Sequence, residues 1–204
     1  MQKILLGGVF TLAGVVIVGI FFVYGYLARL VRNVVEGVQY PLPAWDDLGE
    51  YFNEGLRLFA VGVVYALPMI VLVFAAMVPT IAMSAVHNDV AETMGGVMFS
   101  CVWCLMVPTS LIVAIWMPAA LLFAAIDRRF SAAFEFGRIW NFIKGNAGNY
   151  ALAYVAWLIA RFIAPFGLAL FCIGIVFTIF WSLVVGAYSF AQTYRLSLPQ
   201  STVK

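Results

Sequence analysis

Residues 58–86 read LFAVGVVYALPMIVLVFAAMVPTIAMSAV, a run without a single charged side chain. A bilayer-spanning helix needs about 20 predominantly apolar residues, so this stretch qualifies with length to spare. Pro68 and Pro79 interrupt it about three turns apart, which places both kinks on one helix face. Working outward, residues 4–27 form an equally apolar run, and residues 96–126 form another with Pro108 and Pro118 inside it. From 150 to 190 the chain stays apolar for about twice a spanning length, marked only by Arg161, Pro165 and Gly167. A turn near 164–167 splits it in two. Lipid offers no partner for free backbone groups, so runs of this kind are helices. The expectation is an all-α integral membrane protein: a single membrane domain over 1–204, with about five transmembrane helices.

Composition agrees. Of 204 residues, 65% are hydrophobic and 10% charged, and mean hydropathy is +1.05. A water-soluble domain carries about a quarter charged residues. The same apolar and charged fractions exclude a disordered chain, collagen and nucleic-acid-binding tails. The first 26 residues resemble a secretory signal only superficially, because the apolar run is too long and has no clear small-x-small cleavage site; we read it as a retained helix.

Charge sets the expected orientation. Arg29, Arg32 and Arg57 lie between the first and second runs. Arg128, Arg129, Arg138 and Lys144 lie between the third and fourth, and Arg195 and Lys204 follow the fifth. The segment 87–95 has only Asp89 and Glu92. By the positive-inside rule the long connections and the C-terminus are cytoplasmic and the N-terminus is outside, with Lys3 the one exception. A prokaryotic inner membrane is the expected location.

Both long connections contain amphipathic segments, expected as two interfacial helices. In the first, Trp45, Leu48, Phe52, Leu56 and Phe59 recur at helical spacing opposite Asp46, Asp47, Glu50, Asn53, Glu54 and Arg57. In the second, over 131–144, Ser131 is the expected N-cap. Phe136, Ile139, Trp140 and Ile143 stand against Glu135, Arg138, Asn141 and Lys144, and Gly145-Asn146-Ala147-Gly148 follows as a turn. Interfacial anchors normally use Lys and Arg, yet the first segment has four carboxylates and one Arg. Either it packs over the basic ends of the neighbouring spans, at Arg29, Arg32, Arg128 and Arg129, or its aromatic face alone sinks among the headgroups. The two connections also suggest a weak internal repeat, roughly 5–86 and 97–190, with Pro165 ninety-seven residues after Pro68.

Gly174, Thr178, Ser182 and Gly186 place small residues at successive i,i+4 positions, and Gly7, Thr11, Gly14, Val18 and Gly25 form a second seam. Such ridges let another backbone approach closely, either within the bundle or from a partner subunit. Chemistry-bearing residues are sparse. Cys101, Cys104 and Cys172 sit in apolar runs. Cys101-Val102-Trp103-Cys104 has a metal-pair spacing, but a structural zinc needs four ligands and nothing completes the set. No metal or cofactor is expected. His87 is the one histidine, a candidate pigment ligand or a solvated loop residue. Arg161 is the candidate intramembrane charge, functional there or snorkelling outward. No serine has a nearby histidine or carboxylate base, so no enzyme is expected.

Several stretches carry a family resemblance: Gly25-Tyr26-Leu27-Ala28-Arg29-Leu30-Val31-Arg32-Asn33-Val34-Val35-Glu36-Gly37, Pro41-Leu42-Pro43-Ala44-Trp45-Asp46-Asp47-Leu48 and Glu54-Gly55-Leu56. Phe134-Glu135-Phe136, Asn149-Tyr150 and Tyr188-Ser189-Phe190-Ala191-Gln192 add to it. On these the chain resembles the uncharacterised multi-pass membrane proteins of domain of unknown function 4013. The resemblance implies an all-helical membrane fold and no particular activity, cofactor or catalytic residue. The functional expectation is a non-catalytic subunit that packs against partner helices and scaffolds a larger membrane complex, respiratory or photosynthetic. The alternative is a small permease or channel, suggested by the four helix prolines, the repeat and Arg161. Expected partners are the lipid bilayer and other membrane subunits, with no nucleic acid.

Overall fold

The computed structural model describes residues 2–84, 89–169 and 174–198, with side chains over 18–83, 90, 93–167 and 177–198. The described residues form helices and connections without a strand: α1 (Gln2–Glu36), α2 (Leu48–Ser84), α3 (Asp89–Asp127), α4 (Phe136–Gly145), α5 (Ala147–Ile163) and α6 (Gly174–Ser197). A 3-10 turn at Phe130–Phe134 precedes α4, and another at Ala164–Ala169 follows α5. Four spans among the described residues are long and apolar enough to cross a membrane: Val18–Glu36, Leu48–Met83, Thr93–Asp127 and Ala147–Gly167. The fifth expected span falls on α6, part of which lies outside the described side chains.

The helices outrun the apolar runs that predict them. At 37 and 39 residues, α2 and α3 extend about 55–58 Å, against about 30 Å of hydrocarbon. The first amphipathic segment is therefore not a separate interfacial helix: from Leu48 onward it is the opening of α2. The cause is local, since neither proline nor a special turn separates Phe59 from Leu67, and the hydrogen-bond ladder continues. Pro68, Pro79, Pro108 and Pro118 also stay inside helices. Thr80 and Thr109, each directly after a proline, donate their hydroxyls to carbonyls one turn back, Ala76 O at 2.7 Å and Leu105 O at 2.8 Å.

The chain forms two compact units. The first comprises Met1–Val61 and Ala119–Lys204. Its centre holds Tyr51, Phe123, Leu30, Leu122, Ile139 and Val61, all fully buried. Here α1 and α2 cross backbone to backbone: a Cβ on Gly25 would collide with the Tyr51 carbonyl, and one on Gly55 with the Phe21 carbonyl. Phe21 packs edge-on to Phe52 and Phe59 beside this crossing. On α6, Gly186 lies under the Trp157 indole of α5, Ser182 is fully buried, and Thr178 donates to Ala164 O at 2.6 Å. This part of the small-residue stripe is thus taken up by the chain's own helices, not left open for a partner. The side chains of Gly174, Gly7, Thr11 and Gly14 lie outside the described ones.

The second unit, Gly62–Pro118, is a pair of antiparallel helix segments. Gly62 approaches Met117, and at the other end Gly95 approaches Met83 and Thr80. Phe74, Ile81, Trp103, Leu111 and Ile112 of this unit are exposed, an arrangement suited to lipid or to other apolar helices.

Candidate functional site

The end of α1 is set by glycine. Gly37 has φ +79, the left-handed geometry that ends helices, and Val38 N–H donates to Asn33 O at 2.9 Å while Gly37 N–H donates to Val34 O at 3.2 Å. The chain then turns back, held by Asn33 Nδ2 donating to Pro41 O at 2.9 Å. Trp45 stacks on Tyr26 with centroids 4.5 Å apart, and Tyr51 OH donates to Ala44 O. Asp47 caps α2 by accepting from Glu50 N–H at 3.0 Å. These local decisions bring the acidic opening of α2 alongside the last turns of α1.

What results is a clasp of three arginines and three carboxylates. Arg32 Nη2 donates to Glu54 Oε2 at 2.6 Å, and Arg32 Nη1 donates to Ala125 O of α3 at 3.2 Å. Both side chains of this pair are about nine-tenths buried. Around it, Arg29 reaches Glu50 at 3.6 Å and Asp46 at 3.9 Å, while Arg128 reaches Glu50 at 3.0 Å and Glu54 at 3.4 Å. Arg128 holds φ 53, a left-handed conformation that costs a branched-free L residue about 1–2 kcal/mol. It follows α3 directly, in the position a helix-ending glycine would take, and from there its guanidinium meets both glutamates. Of the four arginines expected beside the acidic segment, Arg29, Arg32 and Arg128 meet it. Arg129 instead pairs with Asp127 at 3.5 Å. Asp46, Trp45 and Asp47 precede α2 and do not lie on a helix of their own.

A second cluster fastens α4. Arg138 donates to both Asp127 oxygens, at 2.5 and 3.3 Å, and to Glu135 at 3.3 Å, with its guanidinium 4.3 Å from the Phe123 ring centroid. The Asp127 hydrogen bond, with Glu135 nearby, holds the Arg138 guanidinium well above its ordinary pKa. This corrects the expected polarity of α4 in part, since Glu135, Asn141 and Lys144 are exposed as expected. Ile139 and Phe142 are its buried residues, Arg138 turns inward, and Phe136 and Trp140 are exposed with Lys144 over the Trp140 ring. Ser131 is not the N-cap either: it lies within the 3-10 turn, and α4 begins after Glu135 without a side-chain cap. Phe142 explains the choice, since its ring meets Phe123, Tyr150 and Tyr194 at once.

The other candidates stay apart from the clasp. Arg161 is exposed in the last turn of α5, its guanidinium 6.0 Å from the Trp157 ring. Cys101 and Cys104 are exposed free thiols on α3, and no group of three metal-ligating side chains gathers among the described residues. His87 and Cys172 lie outside the described residues. Sequence reasoning missed the inward turn of Arg138 and the Ala125 carbonyl that Arg32 holds. The Gly25–Gly55 crossing left a trace, since a small residue stands on each helix.

Each carboxylate of the clasp faces a guanidinium, which makes it a counter-ion joining α1, α2 and α3. Long apolar helices joined by ion pairs at one end define an all-helical integral membrane protein. Residues 9–173 match the family described as Protein of unknown function (DUF4013), and the chain belongs to that family. No curated protein and no solved structure matches it.

Proposed function

We propose that the chain is a non-catalytic subunit that packs against partner helices and scaffolds a larger membrane complex. The observation that carries this reading is the Gly62–Pro118 unit. Only 17% of the 18-residue apolar stretch that marks Leu48–Met83 as a span is buried within the chain, against 44% of the corresponding stretch of Val18–Glu36. The hydroxyls of Thr80, Ser100, Thr109 and Ser110 donate within their own helices, so these side chains tolerate apolar partner helices on the outer surface. In this reading the clasp end is cytoplasmic, because Arg29, Arg57, Arg128, Arg129, Arg138, Lys144 and Arg195 fall in the sequence between the first and second apolar runs, between the third and fourth, and after the fifth.

The test replaces Phe74 and Trp103 by Ala and compares detergent extracts of native membranes on native gels. The expected result is loss of a high-mass band while the purified variant keeps its monomer helicity and melting point. A wild-type chain that migrates as a monomer in the mildest extract would contradict the proposal.

A further inference from the structure

A cleft of about 200 Å³ opens where the end of α1 meets the end of α6, lined in part by Val34, Gly37, Gln39, Tyr188, Gln192 and Arg195. Arg195 distinguishes it. The arginines of the two clusters each face a carboxylate. Arg195 is only partly exposed, and among the described residues its guanidinium has neither a carboxylate nor a hydrogen-bond acceptor.

Capping of α1 does not account for it. The Asn33 and Val34 carbonyls already accept from Val38 and Gly37. Arg195 Nη2 lies 2.8 Å from the place a Cβ on Gly37 would occupy, so the guanidinium rests against bare backbone that only glycine leaves open. The Gln39 and Gln192 amides likewise have no partner among the described residues. The cleft therefore gathers a guanidinium fork, two amide groups and the Tyr188 phenol, all with donors unspent. Arginine's planar fork suits the oxygens of a phosphate group. The site lies just past the end of the apolar Val18–Glu36 span, and Tyr188 is exposed there, the residue type that membrane interfaces favour.

We propose that this cleft binds a phosphate group, held by Arg195 with Gln39, Gln192 and Tyr188 as supporting donors. Two sources have that chemistry, the headgroup of an anionic lipid in the same leaflet and a small phosphate anion from water. The proposal is independent of the subunit reading above.

The experiment uses the full chain in detergent, titrated with phosphatidylglycerol in mixed micelles, with phosphatidylcholine for comparison, and separately with inorganic phosphate. Bound lipid is counted by native mass spectrometry and bound phosphate by calorimetry. Phosphatidylglycerol binding that weakens about tenfold in Arg195→Gln, the loss of one charge-assisted contact, and that is unchanged in Arg129→Gln identifies a headgroup site. Inorganic phosphate binding with the same Arg195 dependence identifies a small-anion site. If Arg195→Gln does not fold, Gln39→Leu/Gln192→Leu serves in its place, with the same weakening expected. Binding of both probes that is unaffected by these substitutions, or absent from the wild type, overturns the proposal.

Discussion

Replacing Glu54 by Gln is the sharpest perturbation of this structure. Glu54 accepts from Arg32 at 2.6 Å with side-chain exposures of 7% and 10%, so the substitution leaves a buried guanidinium facing a neutral amide. Removing one partner of a buried pair costs about 3–5 kcal/mol, because the remaining charge stays desolvated. Two features moderate the loss. Arg32 keeps its bond to Ala125 O at 3.2 Å, and Glu50 lies 4.0 Å away, close enough to take a share of the charge. The expected cost is therefore at the low end, about 3 kcal/mol. Removing both charges together, as Arg32→Met/Glu54→Leu, should restore most of it, since a buried pair replaced by apolar groups of similar volume is often neutral. The assay is denaturant unfolding of the detergent-solubilised chain, followed by tryptophan fluorescence, over the full double-mutant cycle. Single and double variants whose effects simply add would refute the reasoning, as would a Glu54→Gln loss under about 1 kcal/mol, the range of an exposed pair.

Further outcomes follow from particular contacts. Gly55→Ala should abolish a monodisperse peak on size exclusion, because its Cβ meets the Phe21 carbonyl, whereas Gly96→Ala, with open space around it, should be silent. Phe142→Ala should destabilise the chain by about 3–5 kcal/mol in the same unfolding assay, while the exposed Trp140 tolerates Ala with a small change. Gly186→Leu should disrupt the isolated chain itself, through Trp157, and circular dichroism melting of the purified variant reads this directly. Arg138→Ala should free α4 at a cost of about 1.5–3 kcal/mol, and limited proteolysis should then cut between 129 and 147 faster than in the wild type.

The membrane class was legible in the sequence because it depends on run length alone, as residues 58–86 show. Helix ends were less so. The apolar run of α1 stops near Leu27, yet the helix continues to Glu36, since Arg29 and Arg32 find carboxylates and nothing before Gly37 ends the ladder. The acidic segment's need for cations was visible in its charge count, and the separation between Glu54, inside, and Glu50, nearer the surface, was not. That difference depends on the Gly25–Gly55 crossing, which sets how deeply this face of α2 sinks. The aromatic face of α4 is ambiguous in the sequence because Phe136, Trp140 and Phe142 distribute aromatics around the axis, so periodicity alone does not choose. The choice falls to Asp127 and Phe123, which precede α4 in the chain and draw Arg138 inward.

The central claim, that the chain is a subunit of a larger membrane assembly, is tested most directly by gentle extraction from native membranes. Sizing of the extract and quantitative mass spectrometry of the fraction containing the chain would follow. The account predicts a defined set of larger proteins in fixed stoichiometry with it, lost when Phe74 and Trp103 are replaced. A lone monomer, or a homo-oligomer free of other proteins, would contradict it.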